Sequence, residues 1–161
     1  MSVWGALAGG FAGTLVLTTA LAAGSHLRLT RMDIPFLLGT AFTDDRTRAK
    51  VFGYTAHFVA GLVFALVYYA GFVALGQAGW KLGLVFGLVH ALFAGTTLVN
   101  VLLPVVHPRM GTPDSAADSS PLLESPGFML LNYGRSTPTL TILAHLAYGA
   151  IVGIFVGASA R

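Results

Sequence analysis

His57 and His145 are the residues whose type and setting first suggest chemistry. Each sits inside a long apolar run, and each is followed four residues later by a glycine, Gly61 or Gly149. Two imidazoles held at similar depth could ligate a metal ion or both faces of a haem iron. The plainer alternative is two buried neutral histidines, each hydrogen-bonded to a neighbouring helix. No Asp or Glu lies in the apolar runs to orient the rings, which counts against a metal. His90, near the middle of a third run, has Tyr68 or Tyr148 as its candidate partner. A second set is cationic: Arg31, Arg109 and Arg135, with Asn132 close by in the dense donor stretch Asn132 to Pro138. Guanidinium groups grip phosphate in bidentate fashion, and basic pockets at helix ends hold anionic lipid head groups. Anchoring at the membrane interface is the competing use. His107 would be the base of a membrane-embedded lipid-modifying enzyme, but nothing in the sequence positions it. Gly-x-Ser-x-Gly, a phosphate-binding loop and His-Glu-x-x-His are all missing, so the reading leans away from an enzyme.

The elements that hold these residues follow from composition. Of 161 residues, 55% are hydrophobic and 9% charged, and the mean hydropathy is +0.78. Soluble domains carry about 25% charged residues, so this chain lacks the polar groups to cover a water-facing surface. Four runs, Val3 to Ala23, Val51 to Leu75, Leu82 to Val106 and Thr139 to Ala158, contain no Asp, Glu, Lys or Arg. Each is near the roughly 20 residues that a helix needs to cross a bilayer. Backbone groups in lipid must pair internally, and no run alternates with period two, so helices are expected and a β-barrel is not. The first run outlasts a signal-peptide core and reads as a retained helix. The chain has no cysteine, which removes disulfides and thiolate metal sites. Nothing in it suggests nucleic-acid binding.

Gly76 to Lys81 makes a tight turn between the second and third runs, while the other two connections are long. Both termini therefore share one face with that turn, and the long loops share the other. Arg28, Arg31, Arg46, Arg48, Lys50, Arg109 and Arg135 lie on the long-loop face, against Lys81 and Arg161 on the terminal face. The positive-inside rule places the long loops in the cytoplasm and the termini outside. Asp33, Asp44, Asp45, Asp114, Asp118 and Glu124 all fall in loops, where solvation is their expected state. The stretch from Gly111 to Ser125 reads as a flexible linker.

Shifting the chain by 78 residues aligns Gly5 with Gly83, Gly9 with Gly87, Thr18 with Thr96, Arg31 with Arg109, Met32 with Met110 and Pro35 with Pro113. A shift of 88 aligns His57 with His145 and Gly61 with Gly149. This points to a tandem repeat of two helical hairpins, about 3–76 and about 79–159, related by an axis along the membrane normal. Glycines four apart (Gly5, Gly9, Gly13; Gly79, Gly83, Gly87; Gly149, Gly153, Gly157) should bring helix backbones together in the half nearer the termini. Thr18, Thr19, Thr96, Thr97, Asn100, His26, His57, His107 and His145 fall in the other half. They line either a cavity open to the long-loop face or simply their own helix backbones. Asn100 is the one for which an interhelical partner is expected.

The sequences His107-Pro108-Arg109-Met110, Pro126-Gly127-Phe128, Asn132-Tyr133-Gly134-Arg135 with Thr137-Pro138, and His145 with Tyr148-Gly149 carry a further signal, as do Met32-Asp33-Ile34-Pro35 and Gly53-Tyr54. Over most of its length the chain resembles an uncharacterised family of small bacterial four-helix integral membrane proteins. The resemblance implies a bacterial inner-membrane protein and assigns no catalytic role.

The expectation is thus an all-α membrane protein, a four-transmembrane-helix bundle of two hairpins, surrounded by lipid. Its pocket at the long-loop face would bind a small ligand or an anionic lipid head group through Arg31, Arg109, Asn132 and Arg135, with His57 and His145 lining it. The alternatives are a haem- or metal-binding protein, with His57 and His145 as ligands, and a structural subunit or homodimer whose glycine stripes face a membrane-protein partner.

Overall fold

The computed structural model describes residues 1–110 and 122–159. Pro113, Asp114, Asp118, Arg161 and most of the stretch read as a linker lie outside the described residues. The described chain is all-helical, without strands. Four helices are long and apolar enough to cross a membrane: α1 (Val3–His26), α3 (Arg46–Ala74), α4 (Trp80–Val106) and α5 (Thr137–Ala158), with the short α2 (Ile34–Gly39) in the first long loop. They fit an integral membrane protein. Their large apolar side chains face outward in number, including Phe11, Val59, Val67 and Val89, as a surface bathed in lipid requires.

The helix ends are set by local chemistry. The Ser2 hydroxyl accepts the Gly5 N–H (3.1 Å), and Asp45 accepts from Arg48 N–H (2.7 Å), each capping an exposed first turn. The Asp45 cap lets α3 start at Arg46, several residues before its apolar run, with Arg46, Arg48 and Lys50 in water. Asp33 caps α2 through Phe36 N–H (3.0 Å), with Pro35 pre-set in its first turn. At the other end of α3 the chain turns through Gly76, which adopts φ +66°, a conformation natural to glycine.

α1 packs on α3 and α5, and α5 packs on α4, so the four long helices form a ring in which α1 stands across from α4. Glycine sets three of the four seams. Gly5, Gly9 and Gly13 of α1 receive Phe155, Val152 and Tyr148 of α5. Gly83 and Gly87 of α4 lie backbone to backbone against Gly149 and His145 of α5. On the α1–α3 seam, Gly10 faces Ala65 and Gly61 faces Thr14. The glycine stripes are thus used inside the bundle, which removes the basis for their facing an external partner. The fourth seam, α3–α4, is filled by rings: Tyr68 on Phe86 at 5.4 Å between centroids, and Phe72 on Phe86 at 5.0 Å.

α4 changes its winding midway. From Ala94 to Leu102 it is a π-helix, in which Leu103 N–H reaches back to Leu98 O. Pro104 lies four residues after Asn100 and would drive its ring against that carbonyl in a normal helix; the wider winding relieves the crowding. Asn100 Nδ2 donates to Gly95 O (3.2 Å), Thr96 O (3.1 Å) and, across the second long loop, Gly127 O (3.1 Å). Its partner outside its own helix is therefore a loop carbonyl, not a neighbouring helix.

Candidate functional site

Nearer the long-loop end the ring encloses a cavity of about 290 Å³. All four long helices line it, and α2 with Leu130 covers it on the loop side. Its walls are mostly aliphatic, but His57, His90 and His145 all reach it, together with Thr14, Thr141 and Tyr148. The structure therefore brings the two histidines singled out by sequence to one cavity and adds a third. His90 stacks against Phe64 (3.8 Å between centroids) and stands edge-on to His145 (4.7 Å). Its Nδ1 lies 3.2 Å from Tyr68 Oη, one of the two partners expected for it.

Each ring is fixed through Nδ1. The Thr18 hydroxyl donates to Thr14 O (2.7 Å) and so accepts from His57 Nδ1–H (3.2 Å). His145 Nδ1–H donates to Thr141 O (2.8 Å). Tyr148 Oη donates across the bundle to Gly61 O (2.6 Å) and fixes the wall opposite. The threonines largely follow the plain reading, with Thr14 and Thr96 bonding Gly10 O (2.7 Å) and Leu92 O (2.6 Å) of their own helices. Thr141 differs. Its hydroxyl is fully enclosed and, among the described residues, is the one such side-chain polar atom without a partner. Leaving a hydroxyl in that state costs roughly 1–3 kcal/mol. No group of three or more His, Asp or Glu side chains among the described residues is placed to hold a metal ion.

The cationic residues lie elsewhere and are engaged. Arg31 forms a bidentate pair with Glu124 (2.9 and 2.8 Å) and also donates to Asn132 O (2.6 Å). The Glu124 hydrogen bonds, then its charge, raise the Arg31 pKa above the usual guanidinium value. Arg109 pairs with Asp44, and Asn132 Nδ2 donates to Ser125 O (2.9 Å). Arg135 is exposed and forms no ion pair among the described residues. Arg31 and Arg109 thus fasten one loop to another. With α2 and Leu130 between them and the cavity, they do not share a pocket with the histidines.

His107 is a structural clip. It is 2% exposed, accepts Arg109 N–H at Nδ1 (3.1 Å) and donates from Nε2 to Leu37 O at the end of α2 (2.9 Å). With both nitrogens engaged it is not free to act as a base. The cover opposite α2 is held in an unusual backbone: Met129 (φ 51°) and Leu130 (φ 64°) are consecutive left-handed residues. Each costs about 1–2 kcal/mol for a side chain with a Cβ. Met129 packs its sulfur on Gly95 in the π-helical stretch, and Leu130, 2% exposed, enters the cavity wall. Tyr133 Oη donates to Glu124 O (2.9 Å) and Arg31 N–H donates to Tyr133 O (2.7 Å), closing the loop. Burial and then the Glu124 charge push the Tyr133 phenol up to about 12.

Fold and site together define a four-helix membrane bundle with an imidazole-lined internal cavity. Set against known protein families, curated proteins and solved structures, the chain matches none.

Proposed function

We propose that this protein is a membrane-embedded binding protein that takes a small ligand into the cavity beneath its long loops. The observation that carries this reading is the convergence of His57, His90 and His145 on one otherwise aliphatic space. A bundle that only filled its interior would place aliphatic groups there, since each unmet polar group costs stability. An anionic head group at Arg31 and Arg109 is disfavoured, because Glu124 and Asp44 already neutralise them. The resemblance to the bacterial family and the excess of cationic residues on the long-loop face support an inner-membrane location with the cavity end towards the cytoplasm. The diagonal placement of α1 and α4 supports a tandem origin of the two hairpins.

The test is mass spectrometry of small molecules that copurify with the protein in mild detergent, beside a His145→Phe variant that fills the site. The expected result is a stoichiometric compound present in the parent and depleted in the variant. Equal extracts from both would overturn the proposal, and a stoichiometric metal lost with His57 and His145 would replace it.

A further inference from the structure

We propose that the ligand is a bilayer-soluble amphiphile with a neutral hydrogen-bond-donating head, a hydroxyl or a phenol, whose tail passes between α3 and α4 into the lipid. This deepens the reading of the cavity as a binding site and rests on it.

The head follows from the imidazole tautomers that the hydrogen-bond partners assign. Thr141 O can only accept, so neutral His145 carries its proton on Nδ1. The Thr18 hydroxyl spends its one hydrogen on Thr14 O, so neutral His57 does the same. Nε2 of both rings is then a bare lone pair, and neither has a partner among the described residues. A carboxylate or phosphate would bring lone pairs against lone pairs. An ammonium would be stripped of water in a cavity that no Asp or Glu lines. A hydroxyl or phenol supplies the missing hydrogen without carrying charge.

The tail follows from the seams. Three of them are closed where glycine lets backbones meet, but α3 and α4 hold their backbones apart with side-chain rings. A groove of about 280 Å³ lies along that seam, among Val67, Gly71, Val89 and Phe93. Val67 and Val89 are 57% and 60% exposed on a span that lipid surrounds. Phe64 and His90 line both groove and cavity, so the partition between lipid and site is a stacked pair of rings, not a backbone. Side-chain rotation is enough to open such a partition, and an apolar tail in the groove replaces lipid by a similar medium.

The experiment uses the full chain with ¹⁵N-labelled histidine in phosphatidylcholine nanodiscs and three probes: 4-methylphenol, 4-dodecylphenol and 4-dodecylanisole. Both phenols are expected to move the His57 and His145 Nε2 resonances saturably. The anisole, in which a methyl group replaces the donor hydrogen, should bind at least about tenfold more weakly. Gly71→Leu fills the groove outside the cavity. Val67→Trp fills it from a lipid-facing position, without the contact that a Gly71 side chain would make with Phe86. Either should weaken 4-dodecylphenol by about tenfold or more and leave 4-methylphenol within about twofold. If neither phenol moves the Nε2 resonances, the cavity is not the binding site and the functional reading falls with the ligand class. If 4-methylphenol binds but anisole and phenol are equal, the donor head is wrong. If both groove variants hold 4-dodecylphenol unchanged, the tail path is wrong and the head assignment stands alone.

Discussion

Gly53→Ala is the smallest change that should unseat the cover of the cavity. α2 lies on the first turns of α3 in backbone contact. A Cβ on Gly53 would overlap the Pro35 carbonyl, and one on Gly39 would overlap the Ala49 carbonyl. Because the obstacle is main chain, no side-chain rotation relieves it, and α2 must lift. Overpacking of this kind costs about 1–3 kcal/mol. Lifting α2 also loses the His107 Nε2–Leu37 O bond (2.9 Å), worth about 1 kcal/mol. Against this, alanine favours the helix over glycine by about 1 kcal/mol. The net destabilisation is about 1–3 kcal/mol and local to α2. The absence of cysteine makes this readable: in a Leu37→Cys background the introduced thiol is the only one, at a position 6% exposed in the parent. Thiol labelling should accelerate by about tenfold in the alanine variant, the counterpart of about 1.4 kcal/mol in local opening, with a lower melting midpoint in detergent. Gly76→Ala is the control. It meets no neighbour within 4 Å but sits at φ +66°, so it should cost about 1 kcal/mol and leave labelling alone. Unchanged melting and labelling in Gly53→Ala would refute the claim that α2 is seated through glycine.

Three other outcomes are expected. Because burial and Glu124 raise the Tyr133 phenol to about 12, its contribution is complete below the unfolded value near 10 and is lost as pH rises through about 12. Alkaline titration should therefore loosen the second loop in that window, seen as faster proteolysis there, and Tyr133→Phe should abolish the transition at a cost of about 1 kcal/mol at neutral pH. Thr141→Val removes the unpartnered hydroxyl and should leave the ligand-free protein as stable or more so, by up to about 2 kcal/mol, in chemical or thermal unfolding; a clear loss would mean that the hydroxyl has a partner. Arg28, exposed at the end of α1 with φ 59°, should gain up to about 1 kcal/mol on replacement by glycine, measured as a higher melting midpoint.

The spans were legible because lipid imposes one rule, internal pairing of backbone groups, on long uncharged runs. The α1, α4 and α5 glycine stripes were legible for the same reason: small residues four apart lie on one face, and close approach is what that face permits. His57 and His145 could be placed at one depth by counting from the helix ends. The rest depends on contacts between segments far apart in sequence. Nothing local marks Ile34–Gly39 as a helix, since six residues cannot hold one alone. It exists because Gly39 and Gly53 let it lie on α3. The signal was present in those two glycines and the Asp-x-Pro start, but it needs the partner to be read. Arg31 and Arg109 looked like a ligand site because their carboxylates, Glu124 and Asp44, are 93 and 65 positions away (124 − 31 and 109 − 44). His90 falls on Ala12 under the 78-residue shift and so has no mate in the other hairpin, yet Tyr68, which helix spacing brings near it across the turn, is the partner it meets.

The two halves of the bundle obey different packing rules, and the cavity follows from the difference. Towards the termini, glycine removes side chains from three seams, so backbones touch and no space remains. Towards the loops, the same helices carry threonine, histidine and a π-helical turn, which widen the ring beyond what aliphatic side chains fill. An open end of this kind must be covered, and the cover comes from two loop segments that cannot stand alone: a six-residue helix and a pair of left-handed residues. Their cost is met by fastenings that reach the cavity from outside, namely His107 on Leu37, Arg31 on Glu124 and Asn100 on Gly127. Collapse of the loops into the cavity would bury three imidazoles against carbon. The polar lining thus works against collapse, and the fastenings keep the cover in place over a space that the helices alone would leave open.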